Sequence, residues 1–197
     1  MTRVYAAIDV DGVVLDLVRY ITERLDLDPS LWKTWEFHES YSNPEHVAEV
    51  ERLFKHVPDM FVHAKPYSDA RDGVLKLLDN DINFCFMSSF PPEFFKLREW
   101  WLWYNLMHPL YPQYDNGQFR VRLLRVPSEL KASVCSLQGV THMLEDKRET
   151  AEQCIEKGVR AYLVPRVYNR PAFDSVYLPD ATIDQFADML VHEARQG

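Results

Sequence analysis

The chain has 197 residues, of which 47 % are hydrophobic and 26 % charged. This is ordinary for one soluble globular domain that is long enough to bury a substantial core and to carry a small insertion. The formal net charge of −8 argues against a nucleic-acid polymer or an anionic membrane surface as the main partner.

Two further features bear on the compartment. No apolar run approaches the ~20 residues that a membrane span needs, and Asp9 interrupts the first run, so we expect neither a membrane segment nor a signal peptide. Cys85, Cys135 and Cys154 are odd in number and lack metal-ligand spacing, which predicts buried free thiols in a reducing compartment. We therefore expect a cytoplasmic protein.

The first predicted strand lies in residues 3–14 and ends on two carboxylates. Tyr5 and Ile8 favour a strand, and the near-continuous apolar run predicts one that is buried on both faces. Asp9 and Asp11 then follow at spacing i, i+2, with Gly12 directly after them. A parallel strand delivers its last residues into the crevice where ligands bind, so both carboxylates would reach one cation or one phosphoryl group. The alternative is that Asp-x-Asp-Gly is a surface turn.

Residues 16–66 carry helical patterns and no strand pattern. We predict helices from Leu15 to Leu27, from Leu31 to Phe37, and from Asn43-Pro44 to Val57. This predicts a small helical insertion that stands over the crevice. We expect most of its aromatic residues to fill a small core of its own, and the alternative for one or two of them is to line a pocket for a flat ring. These residues are Trp32, Trp35, Phe37, Tyr41, Phe54 and Phe61.

The rest of the chain alternates between helical and strand patterns. We predict strands over 82–87, 119–126, 140–144 and 159–164, of which the first ends on Ser88-Ser89 and the third on Glu145-Asp146. We predict helices over 68–79, from Pro91-Pro92 to Met107, over 148–157 and over 183–194, and a short helix that opens at 127–131. Loops are predicted over 108–118, with a turn at Asp115-Asn116-Gly117, and over 165–179. This order is typical of a doubly wound α/β sheet. Trp100, Trp101 and Trp103 point in different directions from one helix, so that helix is either deeply buried or part of a homodimer interface.

Polar residues therefore stand at the ends of several predicted strands. Because parallel strands end at one edge of the sheet, Asp9, Asp11, Ser88 and the pair Glu145-Asp146 would gather there, with Lys131 five residues after the strand over 119–126. Carboxylates bind Mg²⁺ through oxygen, while a hydroxyl and an ammonium suit phosphate oxygens. Taken singly, the same residues have plainer roles as helix caps or solvated charges.

Together these motifs resemble those of the haloacid dehalogenase (HAD) superfamily. The matching residues are Asp9-Val10-Asp11-Gly12-Val13, Ser88, Lys131 and Glu145-Asp146. The resemblance implies a HAD-type, Rossmann-like doubly wound parallel sheet with a small helical cap inserted after the first strand. The core would comprise residues 1–15 and 67–197, and the cap residues 16–66.

A closer resemblance is to the 5'(3')-deoxyribonucleotidase branch. It rests on Ser88-Ser89-Phe90-Pro91-Pro92, on Leu144 to Arg148 and on Tyr168-Asn169-Arg170. The chain departs from that branch at Leu17, where an aromatic residue is common at the base of the cap, and at Glu145, which replaces the first Asp of the acidic pair.

The superfamily resemblance implies a role for each motif residue. Asp9 would attack the phosphorus and become an aspartyl-phosphate, and Asp11 would protonate the leaving alkoxide and then activate water. Ser88, with Ser89 beside it, and Lys131 would bind the phosphate oxygens. Dehalogenases of the superfamily lack the second Asp, so Asp11 favours phosphate chemistry.

The resemblance also implies a metal site. Asp9, the backbone carbonyl of Asp11 and Asp146 would hold Mg²⁺, with Glu145 in the outer shell. The expected substrate is a small phosphorylated metabolite, a (deoxy)nucleoside monophosphate in the first place. The alternatives are another organic phosphate, such as a sugar phosphate, and a catalytically inactive binding module.

Overall fold

The computed structural model describes residues 4–34, 36–56, 58–108, 121–169 and 180–196. Its five strands form one parallel sheet in the order β3-β2-β1-β4-β5. The strands are β1 (Tyr5–Asp9), β2 (Asn83–Ser88), β3 (Arg122–Arg125), β4 (His142–Glu145) and β5 (Arg160–Leu163). The fold is the predicted Rossmann-like α/β arrangement, with β1 at the centre.

Nine α-helices accompany the sheet in these ranges. They are α1 (Leu17–Leu25), α2 (Phe37–Ser40), α3 (Pro44–His56), α4 (Asp59–His63), α5 (Ala70–Asp79), α6 (Phe95–Leu102), α7 (Lys131–Gln138), α8 (Arg148–Glu156) and α9 (Ile183–Gln196). Three-residue 3₁₀ turns precede α6 and α7, and a π-helical turn, Trp103–Met107, continues α6.

The helices cover both faces of the sheet. Side chains alternate along β1, so Ile8 enters one hydrophobic cluster with residues of α5, α6 and α9, whereas Ala7 enters a second with residues of α7 and α8. Gly73 allows α5 to approach α9, because a Cβ there would lie 2.9 Å from the backbone of Ile183. This two-sided burial explains the continuous apolar character of β1.

The cysteines lie in the second cluster. All three are buried and free, as predicted. Within the described ranges no helix is long and apolar enough to cross a bilayer.

The helical segment between β1 and β2 leaves and rejoins the sheet at neighbouring points. Asp16 N donates to Lys65 O at 2.9 Å, and Tyr67 N donates to Val14 O at 3.0 Å. Trp101 of α6 donates from Nε1 to Ala64 O at 2.8 Å. Within this segment the rings of Trp32, Phe37 and Tyr41 pack on one another, and all three are buried.

The predicted helix from Leu31 to Phe37 is wrong. A 3₁₀ turn, Pro29–Leu31, is followed by extended backbone at Trp32, and the helix α2 begins only at Phe37. The hydroxyl of Ser40 accepts hydrogen bonds from Lys33 N and Thr34 N, so these amides need no helical carbonyl. Trp35 lies outside the described residues.

The other predicted elements occur with small shifts in their ends. The turn at Asp115-Asn116-Gly117, the start of the strand predicted over 119–126, Arg170 and most of the loop over 165–179 lie outside the described residues.

Candidate active site

The sheet brings the predicted residues to one edge. Asp9 is the last residue of β1, Ser88 of β2 and Glu145 of β4, and these three strands are hydrogen-bonded neighbours. Lys131 begins α7, the helix after β3. The parallel topology therefore produces the predicted cluster.

Lys131 lies between two carboxylates. Its Nζ is 2.7 Å from Asp9 Oδ1 and 3.0 Å from Glu145 Oε2, and its side chain is only 5 % exposed. The alternative of a solvated surface lysine is wrong for this residue. Burial opposes the charge of the ammonium, but Asp9 and Glu145 outweigh that effect and raise the pKa of Lys131.

Glu145 uses both of its carboxylate oxygens within the protein. Oε2 faces Lys131, while Oε1 accepts from Asp146 N and Lys147 N, each at 3.2 Å. Burial alone would raise the pKa of Glu145, but Lys131 and these hydrogen bonds lower it. Glu145 is therefore an ionised group that orients its neighbours.

Asp11 is held from two sides. Ser88 Oγ donates to Asp11 Oδ2 at 2.6 Å, and Arg98 Nη2 lies 2.7 Å from Asp11 Oδ1. Arg98 is fully buried on α6. Ser89, by contrast, is exposed.

Asp146 lies beside this group and has one oxygen to spare. Its Oδ2 accepts a short hydrogen bond from the hydroxyl of Tyr168, whereas Oδ1 is buried and has no hydrogen-bond partner among the described residues. Burial first, and the charge of Glu145 second, raise the pKa of Asp146 well above its usual range. The same two causes raise the pKa of Asp9.

These carboxylates fit a cation. Asp9, Glu145 and Asp146 each offer an oxygen within 4.8 Å of the others. With Asp11 they make four carboxylates, and the ion pairs among them are made with two cations, Lys131 and Arg98. The spare oxygen and the excess of negative charge are what a divalent cation with oxygen ligands would satisfy.

Three residues of this site carried no assigned role in the sequence-based prediction. Tyr168 and Asn169 belong to the segment after β5, where Asn169 Nδ2 donates to Asp146 O at 2.7 Å. Arg166 donates from Nε to Gly12 O at 2.6 Å. The Tyr168-Asn169 dipeptide was the only sequence signal.

A cavity of about 680 Å³ opens from Asp146 toward the helical segment. Its lining is mainly charged or polar: Lys33, Thr34, Glu36, Glu39, Ser128, Glu129, Asp146, Lys147, Arg148, Glu149, Thr150, Gln153, Tyr168 and Asn169. A polar ligand portion would find hydrogen-bond partners here.

The architecture is that of the HAD hydrolases. The chain is similar to a dehalogenase (13 % identity, TM-score 0.61, 96 % of this chain and 98 % of that chain). It is similar to a HAD family hydrolase from Deinococcus radiodurans R1 with bound phosphate and sodium (12 %, 0.57, 98 % and 97 %). It is also similar to the L-2-haloacid dehalogenase from Xanthobacter autotrophicus (12 %, 0.57, 95 % and 98 %).

At these identities the likeness concerns the fold. No protein-family model and no curated protein matches the chain by sequence. The chain thus has a HAD-hydrolase fold with a buried acidic cluster at the carboxyl edge of its sheet.

Proposed function

We propose that the protein is a Mg²⁺-dependent phosphomonoester hydrolase in which Asp9 is the nucleophile. The observation that carries the proposal is the pair of carboxylates at the carboxyl end of β1, Asp9 and Asp11. Asp9 lies against Lys131, and Asp11 is held separately by Ser88 and Arg98. A nucleophile and an acid–base group are thus fixed by different partners at the same edge.

The chemistry follows from these positions. A carboxylate oxygen of Asp9 attacks the phosphorus, the bond to the ester oxygen breaks, and Asp11 gives a proton to the leaving alkoxide. Water then attacks the phosphorus of the aspartyl-phosphate and passes a proton to Asp11. The bond between the phosphorus and Asp9 breaks, so that inorganic phosphate leaves and the Asp9 carboxylate is restored. The charge of Lys131 stabilises the phosphoryl oxygens in both steps.

Asp9, the backbone carbonyl of Asp11 and Asp146 are the ligands we propose for Mg²⁺. When bound, the cation neutralises negative charge that would repel a phosphate dianion. The hydrogen bonds of both Glu145 oxygens support a place for this residue outside the direct ligands. The phosphate and sodium of the Deinococcus hydrolase are consistent with such a site in this fold.

We propose residues 16–66 as a cap that selects the leaving group, and (deoxy)nucleoside monophosphates as the first substrates to test. The closely spaced entry and exit of this segment support a cap that can move relative to the sheet. The nucleotide preference rests on the sequence resemblance. The polar cavity beside Asp146 supports a second candidate, a non-aromatic ester such as a sugar phosphate.

The test is release of inorganic phosphate from a panel of nucleoside monophosphates and sugar phosphates. Each is measured with Mg²⁺ and with EDTA, for the wild type and for Asp9→Asn, and halide release from 2-haloacids is measured in parallel. We expect turnover of nucleotides that EDTA or Asp9→Asn removes.

The other outcomes separate the alternatives. Turnover of sugar phosphates alone would retain the mechanism and exclude the nucleotidase. Halide release without phosphate release would replace the phosphatase by a dehalogenase. No turnover by folded protein would favour a binding module.

A further inference from the structure

We propose that Tyr168 is a positioning residue that orients Asp146 for the cation. The inference rests on the proposed function, because it concerns the same acidic cluster. Tyr168 belongs to the segment after β5 and lies outside the motifs of Asp9, Asp11, Ser88, Lys131 and Glu145-Asp146.

The first observation is that the two carboxylate oxygens of Asp146 differ in their hydrogen bonding. Oδ2 accepts the hydroxyl hydrogen of Tyr168, and Oδ1 has no hydrogen-bond partner within the described ranges. Asp146 and its neighbour Asp9 offer oxygens within 4.8 Å of each other. One hydrogen bond thus occupies the oxygen that is not needed and leaves the other available.

The second observation is that the hydrogen-bonded pair of Asp146 and Tyr168 lies directly against the backbone of Gly12. Gly12 has φ +81°, and a Cβ at this position would lie 2.7 Å from Asp146 Cγ. The same Cβ would also collide with the Tyr168 hydroxyl. The backbone of Gly12 therefore packs directly on the hydrogen-bonded pair.

The third observation is that the residues on either side of Tyr168 hold its segment in place. Asn169 Nδ2 donates to Asp146 O and to Val164 O, at 2.7 and 2.8 Å, and its Oδ1 accepts from Arg166 N at 2.7 Å. The guanidinium of Arg166 donates to Gly12 O and lies 3.4 Å from the ring centre of Tyr67. Because its segment is held in place, Tyr168 can orient the Asp146 carboxylate at little further entropic cost.

The competing explanation is that Tyr168 only fills space. Its ring is buried, and its centre lies 6.4 Å from that of Trp32. Tyr168→Phe separates the two roles, since it keeps the ring and removes only the hydroxyl. Tyr162→Phe is the matched control, because Tyr162 is a partly buried tyrosine of β5 whose ring packs on Phe186.

The experiment is calorimetric titration of Mg²⁺ into the wild type and both variants without substrate, together with kcat and KM for the best substrate at several Mg²⁺ concentrations. We expect the Mg²⁺ Kd of Tyr168→Phe to rise at least about tenfold, as when other groups that orient metal ligands are removed. High Mg²⁺ should restore much of its kcat, with KM for substrate little changed. Tyr162→Phe should match the wild type in all of these.

The outcomes distinguish this proposal from the proposed function. If the wild type binds Mg²⁺ and Tyr168→Phe binds it equally well, Tyr168 has only a packing role. If Tyr168→Phe loses kcat at every Mg²⁺ concentration with an unchanged Kd, the positioning role is also overturned. If the wild type binds no Mg²⁺, the metal site itself fails, and this proposal fails with it.

Discussion

The guanidinium of Arg98 lies 2.7 Å from the carboxylate of Asp11, although the two residues are 87 positions apart in the sequence. The side chain of Arg98 is fully buried, and that of Asp11 is 13 % exposed. Because α6 follows β2, this ion pair ties the helix beside the site to the loop after β1. The acid–base group of the proposed reaction therefore depends on a residue from a different structural element.

Removing one member of this pair should be more harmful than removing both. Arg98→Met would leave the Asp11 carboxylate without its main counter-charge, and we expect a loss of about 3 kcal/mol in the free energy of unfolding. The double variant with Asp11→Asn should recover part of that loss. Urea unfolding of the four proteins of this cycle measures the coupling, and additive losses would contradict a specific pair.

Gly12→Ala should disrupt both stability and the acidic cluster. The added methyl meets Asp146 and Tyr168, and the positive φ adds backbone strain. Gly139→Ala is the matched control, because Gly139 has φ +69° but no atom within 4 Å of its would-be Cβ. We expect about 1 kcal/mol for the control and at least about 2 kcal/mol more for Gly12→Ala.

The same two variants should differ in Mg²⁺ binding. Gly12→Ala should lose most of its affinity, since the methyl displaces the Asp146 carboxylate, whereas Gly139→Ala should bind like the wild type. Equal thermal stabilities of the two variants would show that the contact at Gly12 is not restrictive.

Mg²⁺ should stabilise the protein, and the direction of the pKa shifts explains why. A carboxyl group whose pKa is raised on folding lowers the free energy of unfolding as the pH rises from its unfolded pKa through its folded pKa. Without a cation, Asp9 and Asp146 therefore destabilise the folded protein at neutral pH. At 100 times Kd, Mg²⁺ should add about 2.7 kcal/mol.

Asp146→Asn tests this account in both directions. It should raise the stability of the metal-free protein, because it removes a repelled carboxylate, and it should abolish the shift with Mg²⁺ in thermal unfolding. Glu129→Gln, in the lining of the neighbouring cavity, is the control and should keep the shift. A full Mg²⁺ shift in Asp146→Asn would place the cation elsewhere.

The strand-end part of the site was accessible from sequence because one rule governs it. Parallel strands end at one edge, so polar residues that close apolar runs, such as Asp9 and Ser88, must meet. No such rule places Tyr168, because it lies in a connecting segment. Its contact with Asp146 depends on how that segment folds after β5, which the sequence pattern does not predict. The burial of Arg98 likewise depends on how α6 packs, which periodicity does not reveal.

The failed prediction over 31–37 has a similar cause. Apolar spacing favoured a helix, but the Ser40 hydroxyl satisfies two backbone amides and allows the extended backbone at Trp32. A side chain can replace the helical hydrogen bonds of a backbone segment only if the fold brings it next to that segment. The spacing of apolar residues over 31–37 does not reveal that Ser40 lies there.

His142 should make the protein less stable in mild acid. The His142 ring is buried. Its burial, and then the charge of Arg160, lower its pKa. Glu193, 3.3 Å from His142 Nε2, has the opposite effect on the pKa. A histidine whose pKa falls on folding contributes stability above its unfolded pKa of about 6.5 that is lost as the pH falls through the folded value. The unfolded chain binds more protons in that window.

We therefore expect the wild type to lose stability between pH 7.5 and 5.5 by more than His142→Asn does, by at most about 1.4 kcal/mol per pH unit. Urea unfolding at several pH values gives the two slopes. His38→Asn is the control, because the His38 side chain is exposed, and it should keep the wild-type slope. Parallel slopes for the wild type and His142→Asn would mean that the buried ring takes up its proton as readily as in the unfolded chain, and that Glu193 offsets the cost of burial.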